Sequence, residues 1–312
     1  MHIYHSFSEY NNQKKSVITI GTFDGVHIGH RKILEKLKES AQYLNCESVV
    51  LTFFPHPRMI LQAESNIKLL NTVDEKIFLL NKIAIDNLIV HPFDKEFSLL
   101  SAEEFVKNIL VDKLNIQKII IGHDHRFGKN RTANINDLIV FGKKYNFEVE
   151  QISVQELNEI AVSSTKIRNA IHDGNLNLAN DYLTYNYFFS GKVISGKKLG
   201  RTIGFPTANI EIKEDYKLIP KNGVYIVQSC YENKIVFGMM NIGNRPTVSG
   251  ENQTIEVYFF NFDADLYNSN LTISILDKIR EEQKFNSLEA LKLQLEADKI
   301  YSLGYLSSSS RI

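Results

Sequence analysis

Cysteine is scarce: the 312-residue chain has two, Cys46 and Cys230, far apart and in no CxxC pair. Two lone thiols argue against a disulfide framework and against a thiolate zinc site, and they make a reducing cytoplasm the expected surroundings. An excess of charge is missing too, with Lys plus Arg 36 and Asp plus Glu 36. A chain that binds nucleic acid mainly through phosphates carries basic excess, so this balance speaks against such a partner. No apolar run approaches the ~18–20 residues that span a bilayer, and the stretch from Met1 to Lys15 is polar, unlike a signal peptide. No membrane partner is expected. Internal repeats and long linkers are also lacking. What is there is an ordinary globular balance of 43% hydrophobic and 23% charged residues, which excludes a wholly disordered chain. At roughly 150 residues per domain, the length suits two domains, though one large domain also fits.

The two halves differ in rhythm. The first ~180 residues alternate β-rich runs with helical patterns. Strands are predicted from Ser16 to Ile20, Ser48 to Phe54, Asn87 to His91, Gln117 to Ile121 and Phe147 to Ile152. A helix is predicted from about His27 to Leu44, because Ile33, Leu34, Leu37, Ala41 and Leu44 recur at helical spacing. Further helices are predicted from Asp74 to Ile85, from Ser101 with Glu104 completing a capping box, from Ile135 to Tyr145, and from Ser164 to Ile171 with Gly174 as end cap. Strand–helix alternation implies a parallel sheet covered on both faces, with its ligand site at the carboxyl ends of the strands. After Leu183, strand-like runs dominate: Tyr187 to Ile194, Val224 to Ser229, Ile235 to Ile242, Thr254 to Phe260 and Leu271 to Ile279. Turn clusters separate them, which predicts a closed antiparallel β-barrel. One terminal helix is predicted from Ser287 to Lys299, with Leu288, Leu291 and Leu295 on one face, followed by a frayed serine tail. The fold class is therefore α/β followed by β, with domains at 1–183 and 184–312.

The first chemical constellation is GTFDGVHIGHR, which follows the first strand and opens the first helix. His27 and His30 are three apart and share one face of the first turn. Two imidazoles at a helix N-terminus suit a phosphate on which negative charge develops. Gly29 between them would let a ligand approach the backbone. At the far end of this half, SSTKIR opens another helix. Its hydroxyls serve either as caps or, with Lys166 and Arg168, as a loop closing on a triphosphate. Together the two segments resemble the nucleotidyltransferase superfamily. TFFPHP and GHDHRFG each end a strand on the same edge, where aromatic and polar groups can hold a flat heterocycle. A metal site of His56, His123 and His125 is the rival reading, though no carboxylate cluster accompanies it.

The β half opens with GKVISGKKLGRTIGFPTAN, whose spacing is not that of a Walker A loop. Glycines 196, 200 and 204 make either a phosphate-wrapping loop or simple turns. Thr207 and Asn209 alternate, so in an extended strand they face one side and can share a Mg²⁺ ion.

These motifs, with NGVYIV, NIGNRPTV and IEVYFFNF after them, resemble the prokaryotic bifunctional riboflavin kinase/FMN adenylyltransferase (FAD synthetase) family over nearly the whole chain. The resemblance implies a Rossmann-like adenylyltransferase module and a small antiparallel barrel carrying the kinase. It implies that His27, His30 and Arg168 act on the ATP phosphates, with Gly21, Phe23, Asp24, Ser164 and Thr165 around the nucleotide. Pro55, His56 and Asp124 would sit around FMN. In the kinase module Gly196, Gly200, Arg201 and Gly204 would hold ATP, Thr207 and Asn209 its Mg²⁺, and Arg245 and Arg280 the flavin. Glu256 would take the proton from the ribityl hydroxyl. Locally this also makes sense, since Glu256 and Tyr258 share the strand face opposite Ile255, Val257 and Phe259. Riboflavin, FMN, FAD and ATP would be the partners of a cytoplasmic monomer or weak oligomer. Tyr258 stands where many relatives carry His, Val248 where an aromatic is common, and His123 and His125 where acidic and aromatic residues are commoner. The rival functions are another HxGH nucleotidyltransferase or synthetase fragment, against which the separate phosphate-type loop argues, and a non-catalytic flavin or nucleotide carrier.

Overall fold

Alternating β-rich and helical segments build a parallel sheet in the first half of the computed structural model. It describes residues 1–11, 13–62, 66–122, 125–153, 162–196, 199–247 and 250–308. The chain divides into two units, Met1–Ser164 and Thr165–Ile312. In the first, strands β1 (His2–Tyr4), β2 (Ser16–Ile20), β3 (Glu47–Phe54), β4 (Asn87–Pro92), β5 (Ile116–Gly122) and β6 (Glu148–Ile152) lie in the order β1-β4-β3-β2-β5-β6. All five pairings are parallel. Near-continuous burial of β2 and of Ser48 to Thr52 in β3 is what a sheet covered on both faces demands. Helix α1 (Ile28–Tyr43) crosses from β2 to β3 and buries Leu34, Leu37 and Ala41. The short α2 (Pro57–Leu61) and then α3 (Val73–Asn81) lead to β4. Next come α4 (Lys95–Ser98) and α5 (Ala102–Glu104), the latter starting at the expected Ser101–Glu104 capping box. It widens into a π-helical stretch, Phe105–Val111, that buries Phe105, Val106, Ile109 and Leu110. Helix α6 (Ile135–Tyr145) completes this unit.

Strand β2 is the switch point. The chain leaves it towards β3 and β4 on one side, then returns to β5 and β6 on the other. Crossovers diverge there, and such a point beyond the carboxyl strand ends is where open α/β sheets take their ligands. The loop carrying His27 occupies that edge.

In the second unit α7 (Ser164–His172, its first residue still in unit one) and α8 (Leu176–Leu183) precede β7 (Phe188–Ile194), α9 (Leu199–Thr202), β8 (Ala208–Glu211), β9 (Gly223–Tyr231), β10 (Lys234–Thr247), β11 (Gly250–Phe259) and β12 (Asn270–Arg280). The strands close as the predicted barrel, in the order β10-β11-β8-β7-β12-β9, with antiparallel pairings throughout. Gly174 takes φ 78°, the left-handed turn expected beyond α7. Helix α10 (Leu288–Ser308) covers one flank, where Leu306 joins Phe205, Ile226, Met239, Phe260 and Leu276. Among the described residues no helix is long and apolar enough to cross a membrane.

Some boundaries differ from expectation for identifiable reasons. Helix α3 stops at Asn81 rather than Ile85, because Ala84 takes φ 59° to turn the chain into β4. Helix α10 runs past Lys299 because Leu303 and Leu306 still meet the barrel. Its inward face is Leu291, Leu295, Asp298, Ser302 and Leu306, whereas Leu288 is 62% exposed, so the expected face is corrected at its first turn. Ser307 and Ser308 are helical, and the tail from 309 on lies outside the described residues. Strand β1 and helix α8 carry too short or too weak a pattern to be anticipated.

Candidate active sites

The β2–α1 turn holds both histidines against each other. His27 is the N-cap of α1, and its Nδ1 accepts the His30 backbone N–H at 3.4 Å. The rings stack with centroids 3.7 Å apart and planes 16° off parallel. Phe23 meets the His30 ring edge-on at 5.1 Å. The glycines make room for these rings. A Cβ at Gly29 would lie 3.3 Å from His27 Cε1, and one at Gly21 would lie 3.1 Å from the Phe23 ring. The backbone is strained as well, with φ 46° at Phe23 and 38° at Val26, both buried non-glycine residues. Such conformations cost roughly 1–3 kcal/mol each and persist where surroundings over-determine them.

Those surroundings are the segment from Leu70 to Lys76. Asp24 is buried, and its carboxylate accepts the Leu70 N–H at 2.9 Å and the Asn71 N–H at 3.3 Å. Asn71 Oδ1 in turn accepts the Gly25 N–H at 3.0 Å. Thr22 O accepts from Thr52 Oγ1 at 3.2 Å and from the buried Lys76 Nζ at 2.7 Å. Asp24 thus latches the loop, a task its sequence position does not announce. Its carbonyl oxygen also accepts Ser164 Oγ at 2.9 Å, joining the start of the SSTKIR segment to the histidine loop across 140 residues.

Burial sets the electrostatics. It pushes the His27 imidazole from its ordinary 6.5 down to about 4, against the pull of Asp24. His30 is held well below its ordinary value by burial first, then by His27 and Lys76. Burial likewise lowers Lys76 to about 8, with Asp24 opposing. Both rings are therefore neutral at pH 7 and offer N–H groups rather than fixed charge. His30 Nδ1 is buried with no hydrogen-bond partner among the described residues.

Pro55 follows a cis peptide bond, and His56 caps α2 through an Nδ1 that accepts the Arg58 N–H at 3.1 Å. Asp124 and His123 lie outside the described residues; His125 stacks on Phe127 at 6.1 Å. Thr165 is exposed at the start of α7 and Arg168 half-buried. Sequence reasoning missed the aromatic group around His91 at the end of β4, where Phe7 stacks at 3.4 Å and Phe97 lies at 5.1 Å. Only tertiary pairing brings Phe7 there, so no local pattern signals it.

The barrel builds the second site. Thr207 Oγ1 donates to Glu256 Oε2 at 3.1 Å. Asn209 in β8 is the register partner of Glu256 in β11 and of Ile194 in β7. A Cβ at Gly196 would lie 2.2 Å from Asn209 Nδ2, so the glycine leaves the space the amide fills. A Cβ at Gly200 would lie 2.1 Å from Phe205 O, whose own N–H returns to Gly200 O at 2.8 Å. Gly204 needs its φ of 86°. These glycines do make turns, and the turns deliver Thr207 and Asn209 beside Glu256. Arg201 is exposed at the end of α9. Ile255, Val257 and Phe259 point inward as expected, and Tyr258 packs on Phe205 at 5.0 Å. Arg280, at the end of β12, is gripped by Asp298 of α10: Nε reaches Oδ1 at 3.0 Å and Nη2 reaches Oδ2 at 2.8 Å. Asp298 is 2% exposed and was not anticipated. Arg245 lies on β10 opposite Asn252; its side chain is outside the described set.

Known proteins match both halves. The family described as FAD synthetase matches residues 9–166, and the riboflavin kinase family matches residues 183–306. A bifunctional riboflavin kinase/FMN adenylyltransferase of Buchnera aphidicola (subspecies Schizaphis graminum) is 40% identical over 298 residues, covering 94% of each chain. One from Escherichia coli K12 is 36% identical over 289 residues, covering 92% of each. A crystal structure described as a macrolide-efflux protein from Streptococcus pneumoniae is 30% identical, with TM-score 0.87 over 96% of this chain and 97% of that one. The chain belongs to the bifunctional riboflavin kinase/FMN adenylyltransferase family.

Proposed function

We propose that residues 1–183 join AMP to FMN beneath the stacked His27–His30 pair, and that residues 184–312 phosphorylate riboflavin beside Glu256. The chain is an enzyme of flavin-cofactor biosynthesis with both activities; the assignment of roles to residues is our own.

In adenylyl transfer an FMN phosphate oxygen attacks the α-phosphorus of ATP. A new P–O bond forms, the α–β bridge breaks, and pyrophosphate leaves. Charge develops on phosphate oxygens, where the N–H groups of two neutral imidazoles and the N-terminal dipole of α1 stabilise it without reorganising. Gly21, Phe23 and Asp24 shape the nucleotide side. Ser164, Thr165 and Arg168 close on the phosphates, while Pro55, His56 and Asp124 hold FMN. The observation that carries this half is the stacked imidazole pair, His27 buried and His30 half-buried, at the switch point of the sheet.

In the kinase step the riboflavin hydroxyl attacks the γ-phosphorus of ATP and ADP leaves. Glu256 orients the hydroxyl and accepts its proton. Gly196, Gly200, Arg201 and Gly204 line the ATP, and Arg245 and Arg280 the flavin. Thr207 and Asn209 offer a hydroxyl and an amide oxygen, and the gap at Gly196 keeps that amide in place; hard oxygen donors of this kind fit Mg²⁺. When bound with ATP, Mg²⁺ neutralises phosphate charge. The partners are small molecules, with no nucleic acid and no membrane, for a cytoplasmic monomer or weak oligomer.

One incubation with riboflavin, ATP and Mg²⁺ tests the whole, with products separated by chromatography over time. FMN should rise first and FAD follow, with ADP and pyrophosphate as co-products. Flavin left unchanged would overturn both assignments.

A further inference from the structure

Lys76 occupies a place that neither the motifs nor the roles above account for. It is one residue beyond Glu75, whose carboxylate is spent on the capping box of α3. Its side chain is 6% exposed, and its ammonium makes one hydrogen bond, to Thr22 O at 2.7 Å. Among the described residues it has no ion pair. The nearby carboxylate, Asp24, is engaged by the Leu70 and Asn71 N–H groups. An ammonium taken out of water costs several kcal/mol unless paired, and a bound polyanion would supply that pairing. Thr22 belongs to the loop that leads to His27, and the charge of Lys76 acts on His30. The feature is cationic and buried, and it lies against the loop of a site that must receive a polyanion.

We propose that Lys76 is a positioning residue of the adenylyltransferase site, clamping the Thr22 carbonyl and supplying beneath the histidine loop a positive charge that the ATP triphosphate and departing pyrophosphate balance. This rests on the adenylyltransferase reading above and deepens it. The groups facing His30 are then His27 and Lys76, with Asp24 acting on both of those in the opposite sense. Removing the ammonium lets His30 gain a proton at higher pH, whereas a purely structural prop would leave its titration alone.

The test compares Lys76→Gln, which keeps a donor for Thr22 O without charge, with Lys76→Arg, which keeps charge. FAD formation from supplied FMN is measured against ATP, and the histidine titrations of the full chain are followed by NMR with and without inorganic pyrophosphate. Lys76→Gln should lose on the order of 100-fold in kcat/KM for ATP, move the His30 midpoint upward, and weaken pyrophosphate binding, with the KM for FMN little changed. Lys76→Arg should recover most of each. Wild-type kinetics in Lys76→Gln, or equal losses in both variants with the His30 midpoint unmoved, would overturn the proposal. A wild-type chain that makes no FAD would sink the adenylyltransferase reading instead, and the pyrophosphate-linked titration would still decide the role of Lys76.

Discussion

Thr207, just before strand β8, donates its hydroxyl to the Glu256 carboxylate of β11, 3.1 Å apart, although 49 residues separate them in sequence. Glu256→Gln keeps the shape and removes the base. Riboflavin phosphorylation should fall by roughly 10²–10⁴-fold, while FAD formation from supplied FMN stays at the wild-type rate. Chromatography of products from each half-reaction reads this directly.

His30→Ala should do the opposite. It deletes one of two stacked rings and opens a space beside Phe23. FAD formation should drop by roughly 10²–10³-fold, the usual loss of one donor to developing charge, and FMN should accumulate from riboflavin. Loss of both activities in a folded variant would contradict the division of labour.

The imidazoles also predict how stability follows pH. His27 titrates at about 4 when folded and at 6.5 when exposed, so between those values the unfolded chain binds more protons. Stability contributed by the neutral ring is complete above 6.5 and is lost as pH falls towards 4. His91, lowered to about 4 by burial, adds in the same sense. Denaturant unfolding of the first unit at pH 5 and pH 7 should show the lower value at pH 5. In the His27→Gln variant that difference should shrink.

Asp298 fastens α10 to the end of β12 through Arg280, and Gln294 Nε2 adds a further bond to Asp298 Oδ1 at 2.9 Å. Breaking one partner of a buried pair costs about 3–5 kcal/mol. Asp298→Ala should lower the unfolding midpoint of the barrel and loosen Arg280, raising the KM for riboflavin. Calorimetry and steady-state kinetics on one preparation separate the two effects, and an unchanged KM would remove Arg280 from the flavin site.

Gly196→Ala places a methyl group where the Asn209 amide now sits. Riboflavin phosphorylation in this variant should need more Mg²⁺ for half-maximal rate, with FAD formation from FMN unaffected. A Mg²⁺ titration of each half-reaction checks it.

Much of this was legible in the chain itself. Period-two and period-3.6 patterns placed β2, β3 and β5, the α6 helix and five barrel strands, because burial of one face imposes those periods. His27 and His30 announced themselves through a strand before them and a helix after. Asp24 and Lys76 did not. Asp24 reads as one more residue of a turn, and its partners lie 46 and 47 residues on. Lys76 looks like an ordinary charged position in a helix and becomes unusual only when buried 54 residues from its acceptor. Asp298 was hidden in the same way, as a polar residue on the inward face of a helix whose apolar pattern marked only Leu291 and Leu295 there correctly.

Local chemistry along the chain determined the two rhythms, the helix start at the histidines, and the residue types able to handle phosphates, since capping, turn formation and periodic burial act over a few residues. Tertiary structure alone decided that Asp24 is a latch, that Thr207 meets Glu256, and which lysine loses its water. Those outcomes depend on segments dozens of residues apart meeting within each unit, and desolvation exists only once they have met.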